Sequence, residues 1–268
     1  LKQYAFPELG PRRIDQIDTP DVLRALGPIW LTKPETARRV RQRIGTVLDW
    51  AKAAGHRNGE NPIDGVAKGL PKQNDRDDHH AALPYNGVPN FVAKLRASEA
   101  SETARLAFEF LILTACRTAE VLRATWSELD LDQRVWTVPA DRMKAGRAHR
   151  VPLSDPCLKI LKRARELSPE GEHVFPGRSG TKPLSNMVFL MTLRRMQLPI
   201  TAHGFRSSFR DWAAEQTNVP REVCEMALAH VVSNKVEAAY RRGDLFERRR
   251  ELMRLWAAFI EQEAGIPK

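Results

Sequence analysis

A chain of 268 residues with 42% hydrophobic content has apolar material for two modest cores or one large one, and none of its apolar runs approaches the length of a bilayer crossing. Its 43 Lys and Arg against 33 Asp and Glu leave a formal net charge of +10, which suits a polyanionic partner such as nucleic acid without selecting it. The opening Leu-Lys-Gln-Tyr-Ala-Phe-Pro has no basic region followed by an apolar one, so neither export nor a membrane partner is expected and the location expected is cytoplasmic; the first residue is not Met, which leaves room for an upstream domain.

The first clear helix is predicted from Thr19-Pro20-Asp21, with Thr19 as the cap and Pro20 in the first turn. A longer one follows Thr32-Lys33-Pro34 and runs to Gly55, which supplies a left-handed stop. Its Ala37, Val40, Ile44, Val47, Leu48 and Ala51 define a core-facing stripe, and the other side carries Arg38, Arg39 and Arg43. Those arginines suit either a solvated face or a helix laid along DNA phosphates. From Gly59 to Pro84 the composition turns to Gly, Asn, Pro and charge, which reads as an interdomain linker. Asp75, Asp77, Asp78, His79 and His80 within it are metal-ligand types, but neighbours in a flexible run rarely converge on one ion, and no metal site is expected.

A helix around Thr103 to Ala115 has almost no polar face and belongs in the centre of a core. The β-branched runs Arg134 to Pro139 and His149 to Ser154 flank a basic tip, Asp141 to Arg147, as in a hairpin. The remainder reads as helical apart from loops at Gly171 to Pro183 and Pro199 to Gly204, and the last helix carries a stripe of Leu252, Leu255, Trp256, Phe259 and Ile260 that could dock on a neighbour or fold back on its own domain. Cys116, Cys157 and Cys224 are widely spaced, form no metal or redox pair, and read as small buried apolar residues. There is no internal repeat.

Several positions suit phosphoryl-transfer chemistry. Arg206, in His203-Gly204-Phe205-Arg206, lies at the edge of a buried helix side beside that helix's N-terminus, where a guanidinium can hold a phosphate oxygen. Arg117 is delivered at the end of the most apolar helix, with Glu120 near enough to orient it. Lys144 sits at the hairpin tip, where an ammonium can give a proton to a departing oxygen. Leu228-Ala229-His230 is followed ten positions later by Tyr240, and the other tyrosines are Tyr4 at the start and Tyr85 just past the linker. A phenol is a usable nucleophile where its developing charge is neutralised. Taken singly, each has a bland alternative: a snorkelling arginine, a structural Arg-Glu pair, a surface lysine, a core aromatic.

Taken in order, Arg117-x-x-Glu120, Lys144 on a β-turn, His203-x-x-Arg206, Leu228-x-His230 and Tyr240 resemble the tyrosine recombinase (phage integrase) family from about Ala81 onward. Lys33-Pro-Glu-Thr-Ala-Arg and Gly59-Glu-Asn-Pro are further similar to prophage and genomic-island integrases, and Ala115 departs from the glycine the family often has before the first arginine. The resemblance implies a mostly α fold with a small antiparallel β element: a helical core-binding domain over 1–70, a linker over 71–82, and a mixed α/β catalytic domain over 83–268, the two domains forming a clamp around DNA. It implies Tyr240 as the nucleophile, Arg117 and Arg206 as the phosphate clamp, His230 as a further hydrogen-bond donor, His203 as a positioning group or base, Lys144 as the acid and Glu120 as the buttress of Arg117. Neither cofactor nor metal is implied. The partners implied are double-stranded DNA attachment sites, a homo-tetramer on DNA, a DNA-bending host factor and an excisionase, while the family's additional N-terminal arm-binding domain is not expected within these residues. Rival readings are a type IB topoisomerase that nicks and reseals one duplex, and a catalytically silent DNA-binding regulator on the same fold.

Overall fold

The computed structural model describes residues 1–73, 81–230 and 243–263, which fall into two compact units, Leu1–Asp78 and His79–Lys268. Among the described residues no helix is long and apolar enough to cross a membrane.

The first unit is helical: α1 (Phe6–Leu9), α2 (Thr19–Trp30), α3 (Pro34–Ala53) and α4 (Ile63–Gly69). The cap of α2 is Asp18 rather than Thr19, because Asp18 accepts from the Asp21 amide at 2.9 Å while the Asp21 carboxylate accepts from the Asp18 amide at 3.2 Å. On α3 the expected stripe packs inward except Val47, which is 43% exposed; Gly45 is buried in its neighbourhood, lying against Ile63 of α4. Gly55 follows α3 with φ +76°, the left-handed stop that the sequence suggests.

Part of the stretch from Gly59 to Pro84 is therefore not linker. Asn61 donates to the Gly45 carbonyl at 3.1 Å and to Asp49 at 2.7 Å, its side-chain oxygen accepts from the Ile63 amide, and α4 buries Val66 completely. Beyond α4, Trp30 Nε1 donates to the Pro71 carbonyl and Gln73 donates back to the Trp30 carbonyl. Loop-like composition here encodes a turn and a short helix held by side-chain hydrogen bonds. Asp75, Asp77, Asp78, His79 and His80 lie outside the described residues.

In the second unit α5 (Val88–Arg96), α6 (Glu102–Thr114) and α7 (Thr118–Leu122) precede a small antiparallel sheet, β1 (Leu129–Asp130), β2 (Val135–Val138) and β3 (His149–Pro152), in the order β1-β2-β3. Helices α8 (Asp155–Leu167), α9 (Val188–Arg195), α10 (Gly204–Gln216), α11 (Arg221–Ala227) and α12 (Phe246–Glu263) follow among the described residues. The expected hairpin is β2 and β3, with Val138 opposite His149; β1 adds a third strand through Leu129 opposite Trp136. Helix α6 is the core's centre, buried from Ala107 to Thr114, and its one buried carboxylate, Glu109, is met by Arg96. The stripe of α12 folds back on its own domain. Trp256 is fully buried, lies 4.9 Å from Trp212 between ring centroids, and donates to the Ile112 carbonyl at 2.9 Å; Leu255 and Phe259 sit at the margin.

Gly204 opens α10 at a place where no side chain fits. A Cβ there would stand 2.5 Å from the Ala81 carbonyl oxygen and 2.8 Å from the Ala82 Cα, in a segment tied to α10 by Thr201 N–H to Ala81 O at 3.0 Å and by Ser208 Oγ to Leu83 O. Gly204→Ala should therefore destabilise this unit by about 1–3 kcal/mol. Denaturant unfolding measures it, and unchanged stability would show that the 81–83 backbone yields without cost.

Candidate active site

The site is built from helix ends. Helix α6 closes at Ala115, whose φ of +49° turns the chain left-handed, and α11 closes the same way at Ala229, also at φ +49°. After α11 the Ala229 amide bonds back to the Met226 carbonyl at 3.1 Å and the His230 amide to Glu225 at 2.9 Å, a Schellman closure. The last carbonyls of a helix have no partner within it and carry partial negative charge, so both ends present acceptors suited to cations.

Arg206, in the first turn of α10, takes them. Its side chain is buried with 4% exposure, donating Nη1 to the Ala115 carbonyl and Nη2 to the Leu228 carbonyl at 2.6 Å, while Nη2 also meets His230 Nε2 at 3.1 Å. Burial, then the like charge of Arg117, lower its pKa, and its Nε has no partner among the described residues. Arg117 caps α7. Glu120 accepts from its backbone amide and from Nη1, each at 2.8 Å, and Nη2 donates to the Ala229 carbonyl at 3.3 Å. The pair expected from sequence thus exists, with one face of the Arg117 guanidinium turned to the α11 end.

His230 joins them. A guanidinium only donates, so His230 Nε2 is the acceptor and Nδ1 carries the hydrogen, given to Glu225 at 2.6 Å. Glu225 is itself held below the ordinary carboxylate range: burial opposes this, but the hydrogen bond from His230 and the charges of Arg210 and Arg221 prevail. These contacts bring Arg117, Glu120, Arg206 and His230 together.

The other candidates stand differently. His203 is exposed at the N-cap of α10, its carbonyl accepting from the Arg206 amide. Lys144 is exposed in the turn after β2 and makes no hydrogen bond or ion pair among the described residues, but the leg before it is anchored: Arg142 donates to the Glu120 carbonyl at 3.3 Å, to the Arg123 carbonyl and to Glu128 at 3.0 Å. Tyr240 lies outside the described residues. In the first unit Arg38 and Arg39 pair with Glu35 at 3.5 and 2.7 Å on the exposed side of α3, where Arg43 is exposed too. No group of three or more His, Cys, Asp or Glu able to hold a metal occurs among the described residues. The cysteines are buried, and burial first of all raises each thiol, Cys157 and Cys224 to about 11.

Sequence reasoning missed Arg142, Glu225 and His149. Glu225 lies five residues before His230, a spacing that becomes a contact only through the left-handed turn at Ala229. His149, at the start of β3, is half-buried, and burial, then the Arg249 charge, push its pKa down to about 4; Arg117 adds to that shift, while Glu120 and the Ala227 carbonyl oppose it.

Residues 82–245 match the phage integrase family and residues 1–67 the phage integrase central domain. Prophage integrase IntA of Escherichia coli (strain K12) is 32% identical over 265 residues, covering 97% of this chain and 63% of IntA; prophage integrase IntZ of the same strain is 33% identical over 263 residues, covering 97% of this chain and 64% of IntZ. The chain thus spans somewhat under two thirds of the length of these relatives. Among solved structures, a lambda integrase dimer bound to a COC′ core site superposes with a TM-score of 0.66 at 18% identity, covering 91% of this chain and 86% of that one. A lambda integrase tetramer bound to a Holliday junction gives 0.61 at 18% identity, covering 82% and 66%. The Tn1549 transposon integrase in complex with circular intermediate DNA gives 0.64 at 15% identity, covering 91% and 87%. The chain belongs to the phage integrase family, and its mostly helical fold with one small antiparallel sheet is that of these integrases.

His149 makes a measurable pH signature. The unfolded imidazole protonates as pH falls through its ordinary 6.5, whereas the folded ring stays neutral down to about 4, so the stability this ring contributes is complete above 6.5 and is lost between 6.5 and about 4. His149→Gln should lose less stability than wild type between about pH 7 and about pH 4.5, by roughly 1–3 kcal/mol. Equal slopes in denaturant unfolding would mean that the ring is solvated in the fold.

Proposed function

We propose that this chain is the DNA-cleaving and strand-joining part of a site-specific tyrosine recombinase that integrates or excises a mobile element. The observation that carries the reading is the meeting of Arg117 and Arg206 on the end of α11, beside His230, with a single carboxylate among the described residues, Glu120, neutralising Arg117 alone. Two guanidiniums oriented by carbonyls keep their positive charge for an anion, and a phosphodiester supplies two oxygens for them to share.

In this reading Tyr240 Oη attacks the phosphorus, forming a 3′-phosphotyrosyl bond as the bond from phosphorus to O5′ breaks. Lys144 gives its proton to O5′ and His203 receives or helps position the phenolic one. Arg117 and Arg206 hold the non-bridging oxygens. With Nδ1 committed to Glu225, the Nε2 edge of His230 is the one that meets the phosphate, and it donates to a phosphate oxygen in the imidazolium form, the phosphate taking the place of the Arg206 contact. The incoming 5′-hydroxyl of a second duplex reverses the step, and because the bond energy is kept in the intermediate no nucleotide cofactor is needed. The charge neutralisation that a metal supplies in other phosphoryl transfers falls here to the arginines.

Residues 1–70 act as the core-binding domain and 71–82 as a linker to the catalytic domain, 83–268. The Arg38 and Arg39 pairs with Glu35 are surface pairs worth about 0.3–0.5 kcal/mol, too weak to compete with phosphate for these side chains, and Arg43 extends the same side. The partners proposed are double-stranded attachment sites and three further copies of the chain, with a DNA-bending host factor and an excisionase setting direction.

The test is covalent trapping on nicked suicide duplexes cut from the junctions of the element that carries the gene, with chelator present. Wild type should form a protein-DNA adduct; Tyr240→Phe should bind the duplex and form none, and Arg117→Ala should slow adduct formation by about 100-fold to 1,000-fold. A normal adduct yield from Tyr240→Phe, or loss of the wild-type adduct with chelator, would contradict the assignment.

A further inference from the structure

Resting on the reading above, we propose that Arg142 is a positioning residue, which fastens the turn carrying Lys144 to the C-terminal end of α7 and so fixes the acid relative to Arg117. Helix α7 is a short span, roughly 7–8 Å over its five residues. Arg117 is its N-cap, held by the Glu120 carboxylate through its amide and Nη1. At the other end, where carbonyls lack helical partners, Arg142 Nη2 donates to the Glu120 carbonyl at 3.3 Å and Nη1 to the Arg123 carbonyl. One residue of the helix thus serves both sides: the Glu120 carboxylate orients Arg117, and the Glu120 carbonyl receives the hairpin.

Lys144 has nothing of its own to hold it, being exposed without a hydrogen bond or ion pair among the described residues. Its place is inherited from the chain around it. Just before it Met143 is buried in the core of the second unit, and the Gly146 amide closes the turn on the Met143 carbonyl at 3.0 Å, with Gly146 at φ +63°. Burial of an apolar side chain is non-directional, so Met143 holds the turn down without aiming it. The direction comes from Arg142, two positions before Lys144. Besides the two carbonyls, its Nη2 meets Glu128 at 3.0 Å, and the same carboxylate oxygen accepts from Trp136 Nε1 of β2 at 2.9 Å. The guanidinium therefore ties α7, the segment before β1 and the sheet together, with 15% of its side chain exposed. A planar fork with fixed donor directions holds such a set of acceptors; a single ammonium does not. An ion pair this enclosed adds little stability once desolvation is counted, and Arg142 Nε stays buried without a partner among the described residues. What the arrangement supplies is a fixed origin for Lys144. From there its ammonium gives a proton to O5′ as the bond from phosphorus to O5′ breaks, while the Tyr240 Oη bond to phosphorus forms and the phenolic proton goes to His203.

The experiment uses the full chain at saturating concentration on two nicked suicide duplexes. One is ordinary; in the other, sulfur replaces the bridging O5′, so that the leaving thiolate departs without a proton. Arg142→Met should slow adduct formation on the oxygen duplex by about tenfold or more with DNA affinity retained, and should come within about threefold of wild type on the sulfur duplex. Lys144→Ala should show the same pattern. Arg142→Lys, which keeps the charge without the fork, should fall between wild type and Arg142→Met on the oxygen duplex. Should Arg142→Met fail to fold because Glu128 loses its cation, the double variant with Glu128→Gln removes both charges, keeps an acceptor for Trp136 and carries the same comparison. An equal loss on both duplexes would mean that Arg142 shapes the arginine clamp or the fold at large, and overturns the positioning of Lys144; so does a wild-type rate on the oxygen duplex. Equal losses for Lys144→Ala leave no acid to position and overturn it too, and the recombinase reading survives each of these results. A wild-type chain that forms no adduct on either duplex removes that reading and this inference with it.

Discussion

The structure of this site depends on how Arg206 is buried. A guanidinium taken out of water with no carboxylate against it costs several kcal/mol unless its donors are met, and among the described residues Nη1 and Nη2 are met by two main-chain carbonyls and one imidazole while Nε is left without a partner. Carbonyls free to do this occur at helix C-termini, so α6 and α11 have to end beside α10, and both do so through an alanine in the left-handed region. The conformation costs an alanine about 1–2 kcal/mol that a glycine would not incur. Spending stability in this way leaves a charge that is desolvated and fixed but not neutralised, which is the state in which a cation holds an incoming anion most strongly.

The rest of the second unit holds those helix ends still. Helix α6 is the most deeply packed element, and the Ile112 carbonyl near its end receives the indole of Trp256 from α12. Gly204 lets the backbone around Ala81 lie directly on the first turn of α10, which places Arg206. Glu120 orients Arg117 from within the same turn, and Glu225 orients His230 across the Schellman closure. Arg117, Arg206 and His230 are thus each held by groups behind them, so in the proposed reaction these three have little reorganisation left to make when a phosphate arrives.

Much of this was legible in the sequence, for reasons that can be located. The core position of α6, the hairpin and the inward face of α3 follow from periodicity, and the Arg117 to Glu120 pair spans a single helical turn. Val47 fell outside the true stripe because Ala37, Val40, Ile44, Leu48 and Ala51 already fill the line facing α2 and α4, with Gly45 beside it admitting Ile63. The cap of α2 was placed one residue late, at Thr19, because Thr is itself a capping type; the reciprocal bond with Asp21 that selects Asp18 is visible only in the structure. The segment after Gly59 has loop composition, yet Asn61 uses its amide to stitch it onto α3. The anchors of Arg206 were invisible because carbonyls have no side-chain identity, and two alanines give no warning of a left-handed turn that glycines would have announced. His149 was hidden in a strand whose alternation says only which side it faces.

A crystal structure of the Tyr240→Phe chain on an uncut duplex carrying its cleavage site bears most directly on the central claim. The account requires the scissile phosphate within hydrogen-bonding distance of both the Arg117 and Arg206 guanidiniums, with the Nε2 edge of His230 alongside and the α11 carbonyls still behind the arginines. A phosphate bound elsewhere, or touching only one guanidinium while the other remains wholly occupied by carbonyls, would contradict it.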